Sequence, residues 1–215
     1  MGDPDGPDHI VTTAKIAFAH PKTGKFQIDI IVNNAGIAVN APLGQINPGD
    51  FHSQYSVNVL GPALLVQAAL PYLPHDRSGR IVNLSSVSSM MGAKNQTVYG
   101  GTKAALEAMT RTWSRELAER ATVNAVNPGP VATDMYEGVS DGFARGMKPF
   151  LENAPLARTR QGIDADEVVK DEERTGGRAA YDHEVAGVVA MLCTEDSGWC
   201  TGSVICANGG MRFSI

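Results

Sequence analysis

Hydrophobic positions along the chain fall into two alternating patterns. Residues 8–19 (DHIVTTAKIAFA) place Ile10, Val11, Ala14, Ile16 and Ala17 at helical spacing. A turn at HPKTGK follows. The run IDIIVNNAG (28–36) is short, apolar and β-branched and ends in Asn and Gly, the pattern of a buried strand feeding a loop. DFHSQYSVNVLGPALLVQAALPYL (50–73) reads as a long helix that Gly61-Pro62 should bend. GRIVNLSS (79–86) is a second buried strand, and residues 99–119 form another helix. TVNAVNPGP (122–130) is a third strand running into a Pro/Gly loop. Residues 135–180 mix helix and loop, with DADEVVKDEERTGG (164–177) as a charged, solvated helical piece. YDHEVAGVVAMLC (181–193) is a helix and GSVICANGG (202–210) a last strand.

Helix and buried strand therefore alternate, which predicts the α/β class: a doubly wound parallel sheet with helices on both faces, three layers in all. Ligands of such sheets sit beyond the carboxyl ends of the strands. That singles out the loops NNAG (33–36), LSSVSS (84–89) and NPGPVAT (127–133). With no internal repeat, low-complexity tract or linker, residues 1–215 read as one domain.

Composition narrows the function. A net charge of −5 gives no basic footprint for nucleic acid. No apolar run approaches the ~20 residues of a membrane span. The start, MGDPDGPDHI, is acidic and broken by prolines, unlike a signal peptide. The three cysteines, Cys193, Cys200 and Cys206, lack metal or disulfide-framework spacing and read as reduced thiols of a cytoplasmic protein.

The chemistry gathers at the strand ends. Tyr99 and Lys103 are i and i+4, on one face of a helix. A phenol with a pKa near 10 is a poor acid–base catalyst at neutral pH, and a neighbouring ammonium or cationic nicotinamide ring would lower it. Ser86, at the end of another strand, could hydrogen-bond the same substrate oxygen. Asn58 lies mid-helix, where Asn is a poor former. Its amide could hold a water against the Lys103 ammonium and complete a proton path. Each piece alone has a plain structural reading: the serine run as turn chemistry, Asn58 as a cap on a backbone carbonyl, NPGP as the end of a strand.

In this order, however, NNAG, NVLGP around Asn58, GRIVNLSS, YGGTK and VNPGPVATDM closely resemble the short-chain dehydrogenase/reductase family, and GSVICANGGM is similar to that family's last strand and loop. The resemblance covers residue 8 to the end. It implies a Rossmann-like fold and an NAD(P)-dependent oxidoreductase of a carbonyl or alcohol. Tyr99 would be the acid/base, Lys103 its partner and a nicotinamide-ribose ligand, Ser86 the substrate-orienting hydroxyl, and Asn58 the fourth member. Asn34 would lie beside the cofactor. The Val131 backbone would meet the carboxamide, and Thr133 the carboxamide or a phosphate. Family members commonly form homo-oligomers through their two long helices, here about 51–72 and 99–119.

One family motif has no match. The glycine-rich TGxxxGxG turn that cradles the pyrophosphate does not occur, and the chain reads as N-terminally truncated, beginning after the family's third strand. That predicts weakened NADP or NAD binding, an open sheet edge at IDIIVN and an uncovered apolar face. Two other readings stand beside the oxidoreductase. One is a cofactor-independent lyase or isomerase using Tyr99, Lys103 and Ser86. The other is an inactive remnant that associates with other subunits. Met135, Tyr136, Phe143, Met147 and Phe150, with Met90 and Met91, suit an adaptable lid over a bulky carbonyl compound, as in the reductases of fungal secondary metabolism that the chain resembles.

Overall fold

A computed structural model describes residues 1–137 and 141–213. Among them, four parallel strands form one sheet in the order β1-β2-β3-β4. The strands are β1 (Ile30–Asn33), β2 (Gly79–Leu84), β3 (Ala121–Pro128) and β4 (Val204–Ala207). Helix α1 (Gly6–Phe18) precedes β1. The first crossover holds α2 (Pro48–Tyr55), a π-helical turn at Ser56–Leu60, and α3 (Gly61–Ala69). The second holds α4 (Ser88–Met91) and α5 (Thr97–Glu116). The third holds α6 (Asp134–Glu137), α7 (Asp141–Glu152), α8 (Asp166–Thr175) and α9 (Asp182–Leu192).

Side-chain alternation along the strands divides the core into two layers. In register, Ile31, Ile81 and Val123 point to one face and pack with Val11 of α1, Val66 and Ala69 of α3 and Leu117 beyond α5. Val82, Leu84 and Val126 point to the other face and meet Val185 and Leu192 of α9. β2 and β3 are buried along their whole length, as the unbroken apolar runs predict. β1 lies at the edge of the sheet. Its Ile30 and Val32, on the α9 side, remain 50% and 41% exposed.

Three buried polar side chains set the register on the α5 side. Asn33 Nδ2 donates to Asn83 Oδ1 at 2.7 Å, and Asn83 Nδ2 donates to Thr110 Oγ1 at 2.8 Å. A one-residue slip would turn both asparagines to the opposite face and strand them.

Two expectations change. The long helix over 50–73 is not merely bent at Gly61-Pro62: the irregularity falls one turn earlier, as the π-turn that contains Asn58. Pro62 at the start of α3 suits this, because its missing N–H falls where that helix is re-initiated. The lid reading also divides. Met147 is only 4% exposed, buried on α7, whereas Met135 is 47% exposed.

Candidate active site

The strand ends converge as the loop analysis predicts. Beyond β1, residues 34–39 run over the top of the sheet and are pinned by two carboxamides one helical turn apart. Asn58 Oδ1 accepts from the Ile37 N–H and its Nδ2 donates to the Ile37 carbonyl, both at 2.9 Å. Gln54 does the same to Val39, accepting from its N–H at 3.1 Å and donating to its carbonyl at 3.2 Å. Asn58 Nδ2 also donates to Thr102 Oγ1 on α5 at 3.0 Å, and the residue is 1% exposed. The Asn58 amide is thus committed to protein groups. It fastens the β1 loop to α5. The π-turn is what rotates Asn58 inward, and such single turns recur at functional positions.

Tyr99 and Lys103 lie on the first two turns of α5, with the Lys103 ammonium 5.7 Å from the centre of the phenol ring. Lys103 Nζ donates to the Leu84 carbonyl at 2.8 Å, at the end of β2. Among the described residues that is its hydrogen-bond acceptor, so two of its three N–H groups stay available. The side chain is 4% exposed, and burial lowers its pKa to about 8. Burial pushes the half-buried Tyr99 phenol upward, partly opposed by the hydrogen bond to the Ser86 hydroxyl. Here the lowering of Tyr99 expected from Lys103 does not appear, because desolvation dominates and the ammonium is aimed at Leu84.

Gly36 shows how closely these groups gather. A Cβ there would stand 3.3 Å from both Asn58 Oδ1 and Lys103 Nζ. A second close approach joins α5 to the serine loop: a Cβ on Gly100 would come within 2.6 Å of the Ser88 carbonyl oxygen, closer than real contacts allow.

Ser86 lies just past β2. Its Oγ accepts from the Ser88 N–H at 3.2 Å and donates to Ser88 Oγ at 3.1 Å, and Ser88 Oγ donates in turn to Gln96 Oε1 at 2.6 Å. The Ser86 carbonyl accepts from the Ser89 N–H and from Asn127 Nδ2, both at 3.0 Å, with Ser89 Oγ 2.8 Å away. Beneath them lies Glu107, a third residue on the Tyr99–Lys103 face of α5 and 7% exposed. Its Oε1 accepts from Ser85 Oγ at 2.5 Å, Ser89 Oγ at 2.7 Å and Asn127 Nδ2 at 3.3 Å.

The remaining sequence candidates lie at the rim. Asn34 is exposed directly after β1. Val131 bridges to Ala180, and the exposed Thr133 donates through Oγ1 to the Val131 carbonyl at 3.2 Å. The structure therefore brings Tyr99, Lys103, Ser86 and Asn58 into one cluster, and places Asn34, Val131 and Thr133 on the neighbouring loops without linking them to it. Gln54, Gln96, Asn127 and Glu107 escaped the sequence reading. Glu107 carried a usable signal, its i+4 spacing from Lys103.

Residues 12–170 match a family model described as enoyl-(acyl carrier protein) reductase. The chain is 51% identical over 220 residues to an L-xylulose reductase of Aspergillus niger, covering 95% of this chain and 74% of that protein. It is 51% identical over 215 residues to an L-xylo-3-hexulose reductase of Hypocrea jecorina, covering 93% and 71%. Among solved structures, a blue fluorescent protein from a metagenomic library, in complex with NADPH, superposes with a TM-score of 0.76 at 28% identity, covering 99% of this chain and 73% of that one.

Proposed function

The chain belongs to the short-chain dehydrogenase/reductase family of NAD(P)-dependent oxidoreductases, and from that premise we propose that it interconverts a polyhydroxylated ketose and its alcohol, with NADPH as the preferred nucleotide. The observation that carries this reading is the cluster itself: an acid (Tyr99), a buried cation (Lys103) and a hydroxyl (Ser86) gathered where the end of β2 meets α5. Two relatives named for sugar ketoses give the substrate class. The hydroxyl and amide ladder from Ser86 through Ser88 to Gln96 suits a substrate rich in hydroxyls better than the bulky apolar one first considered.

The residues present fit the nicotinamide–ribose half of the nucleotide. Lys103 keeps two donors for ribose hydroxyls, and Gly36 leaves a space beside Lys103 and Asn58 that a side chain would fill. Asn34, Val131 and Thr133, on the neighbouring loops, would border the bound nucleotide. The bound nucleotide supplies the hydride. Tyr99 delivers the proton to the ketose oxygen, which Ser86 steadies by hydrogen bonding. Lys103 offers its two remaining N–H groups to the nucleotide ribose, and Asn58 keeps the β1 loop and α5 in register. These 215 residues contain no TGxxxGxG cradle.

Purified chain should oxidise NADPH when given L-xylulose at high nucleotide concentration. Tyr99→Phe should lower kcat by about 10²–10⁴-fold with nucleotide affinity little changed, the usual contribution of a positioned acid. Undiminished turnover in Tyr99→Phe would refute the assignment. Ketose turnover without nucleotide would identify a lyase or isomerase at the same tyrosine. We extend the proposal to self-association along α2, α3 and α5, supported by the exposed Phe51 ring stacked on Tyr55 at 4.5 Å; light scattering of the purified chain tests it.

A further inference from the structure

We propose that Glu107 is the positioning residue for Ser86. The inference rests on the functional reading above, in which Ser86 steadies the substrate oxygen. A single oxygen, Glu107 Oε1, collects donors from Ser85, the residue before Ser86, from Ser89, three residues after it, and from Asn127 at the end of β3. Asn127 Nδ2, which has two hydrogens, also donates to the Ser86 carbonyl at 3.0 Å, and Ser89 Oγ, which has one, stands between Glu107 Oε1 at 2.7 Å and that carbonyl at 2.8 Å. The Ser86 carbonyl is held by the Ser89 N–H and by Asn127, and the carboxylate orients both the Asn127 amide and the Ser89 hydroxyl beside it.

The bonds differ from ordinary turn chemistry in their reach. Turn bonds act within a few residues, whereas Glu107 ties together β2, the serine loop, β3 and α5. Its place on α5, in line with Tyr99 and Lys103, gives the acid and the serine a common rigid support. A buried acceptor of this kind orients hydroxyl hydrogens: Ser85 and Ser89 point theirs toward the carboxylate. Glu107 contacts the reacting atoms only through the loop, so it is not itself catalytic.

The test compares wild type, Ser86→Ala, Glu107→Gln and the double variant. Glu107→Gln should lower ketose turnover about tenfold, with the nucleotide KM within about twofold of wild type. In the Ser86→Ala background the same change should cost less than about twofold, because the residue through which it acts is gone. Equal losses in both backgrounds, or no loss in either, would overturn the proposal.

Hydrogen exchange separates this from failure of the functional reading. The Ser89, Met90 and Met91 amides bond back to Ser86 and Val87. Glu107→Gln should accelerate their exchange about tenfold or more while leaving the α9 amides unchanged. Unchanged exchange in the loop sinks the positioning role whatever the activity. Faster loop exchange in a chain that turns over no ketose keeps the clamp and removes only the ketose assignment. Ser89→Ala deletes one link at a smaller structural risk, and should give the same pattern at lower amplitude. No effect of Ser89→Ala on loop exchange would equally overturn the clamp.

Discussion

Lys103 carries the plainest conflict between stability and chemistry. Its ammonium is buried against the Leu84 carbonyl, and its pKa falls from 10.5 to about 8. Between those values the unfolded chain holds a proton the folded chain has released, so stability rises with pH across that window. Below pH 8 the full penalty of about 3 kcal/mol is present. Lys103→Met should therefore stabilise the free chain near pH 7, with the gain shrinking toward pH 10.5; denaturant midpoints against pH read it directly. The same residue should impose a basic limb on turnover near pH 8, because the role proposed for it needs the charged form. Asn58→Ala works in the other direction. It frees the Ile37 N–H and carbonyl and one partner of Thr102, and should cost about 2–4 kcal/mol. Tyr99 and Lys103 could be found in the sequence because their relation is local, i to i+4 on one helix. The Asn58 position was legible too, but its partners were not, since Ile37 lies 21 residues away and is reached only through tertiary structure. Glu107 was hidden because a lone glutamate on a helix ordinarily marks a solvated face.

At the level of elements, α5 is the organising piece. Its face toward the sheet carries Tyr99, Lys103, Glu107 and Thr110, and these meet four consecutive residues at the end of β2: Ser86, Leu84, Ser85 and Asn83 respectively. The Gly100 position sets how near the serine loop can come. Gly100→Ala would press a methyl into the Ser88 carbonyl, which is backbone and cannot swing aside. The expected outcome is a displaced loop, with kcat reduced about tenfold or more and only a modest fall in melting temperature. Paired activity and thermal-unfolding measurements would check this. The strands were legible from their apolar runs, and α1, α5 and α9 from helical spacing. The π-turn was not, because Gly61-Pro62 advertises a break at its own position, while the extra residue is accommodated one turn upstream, where Asn58 gains from facing inward. The Met147 misreading has a similar source: composition shows a flexible apolar side chain but not whether it faces a ligand or the core.

The molecule as a whole is closed on its third side by an ionic latch. Arg178 donates to both carboxylate oxygens of Glu184 at 2.7 Å and lies 3.4 Å from Asp164, tying the segment after α8 to the start of α9. The Arg178 hydrogen bonds hold Glu184 down to about 2. Its stabilisation is therefore complete above pH 4.5 and is lost as pH falls toward 2. Glu184→Gln should lower the urea midpoint at neutral pH and match wild type at pH 2. The order of the sheet has a further consequence. Among the described residues, β2, β3 and β4 each pair with the strand that precedes them in the chain. Asn58, Ser86, Tyr99 and Lys103 all precede residue 104. On the ribosome, the strands and helix that carry the acid, the cation and the serine can assemble while β4 and the latch are still to be translated. The later half of the chain then adds α9 against the open face of β2 and β3, and β4 along the free edge of β3.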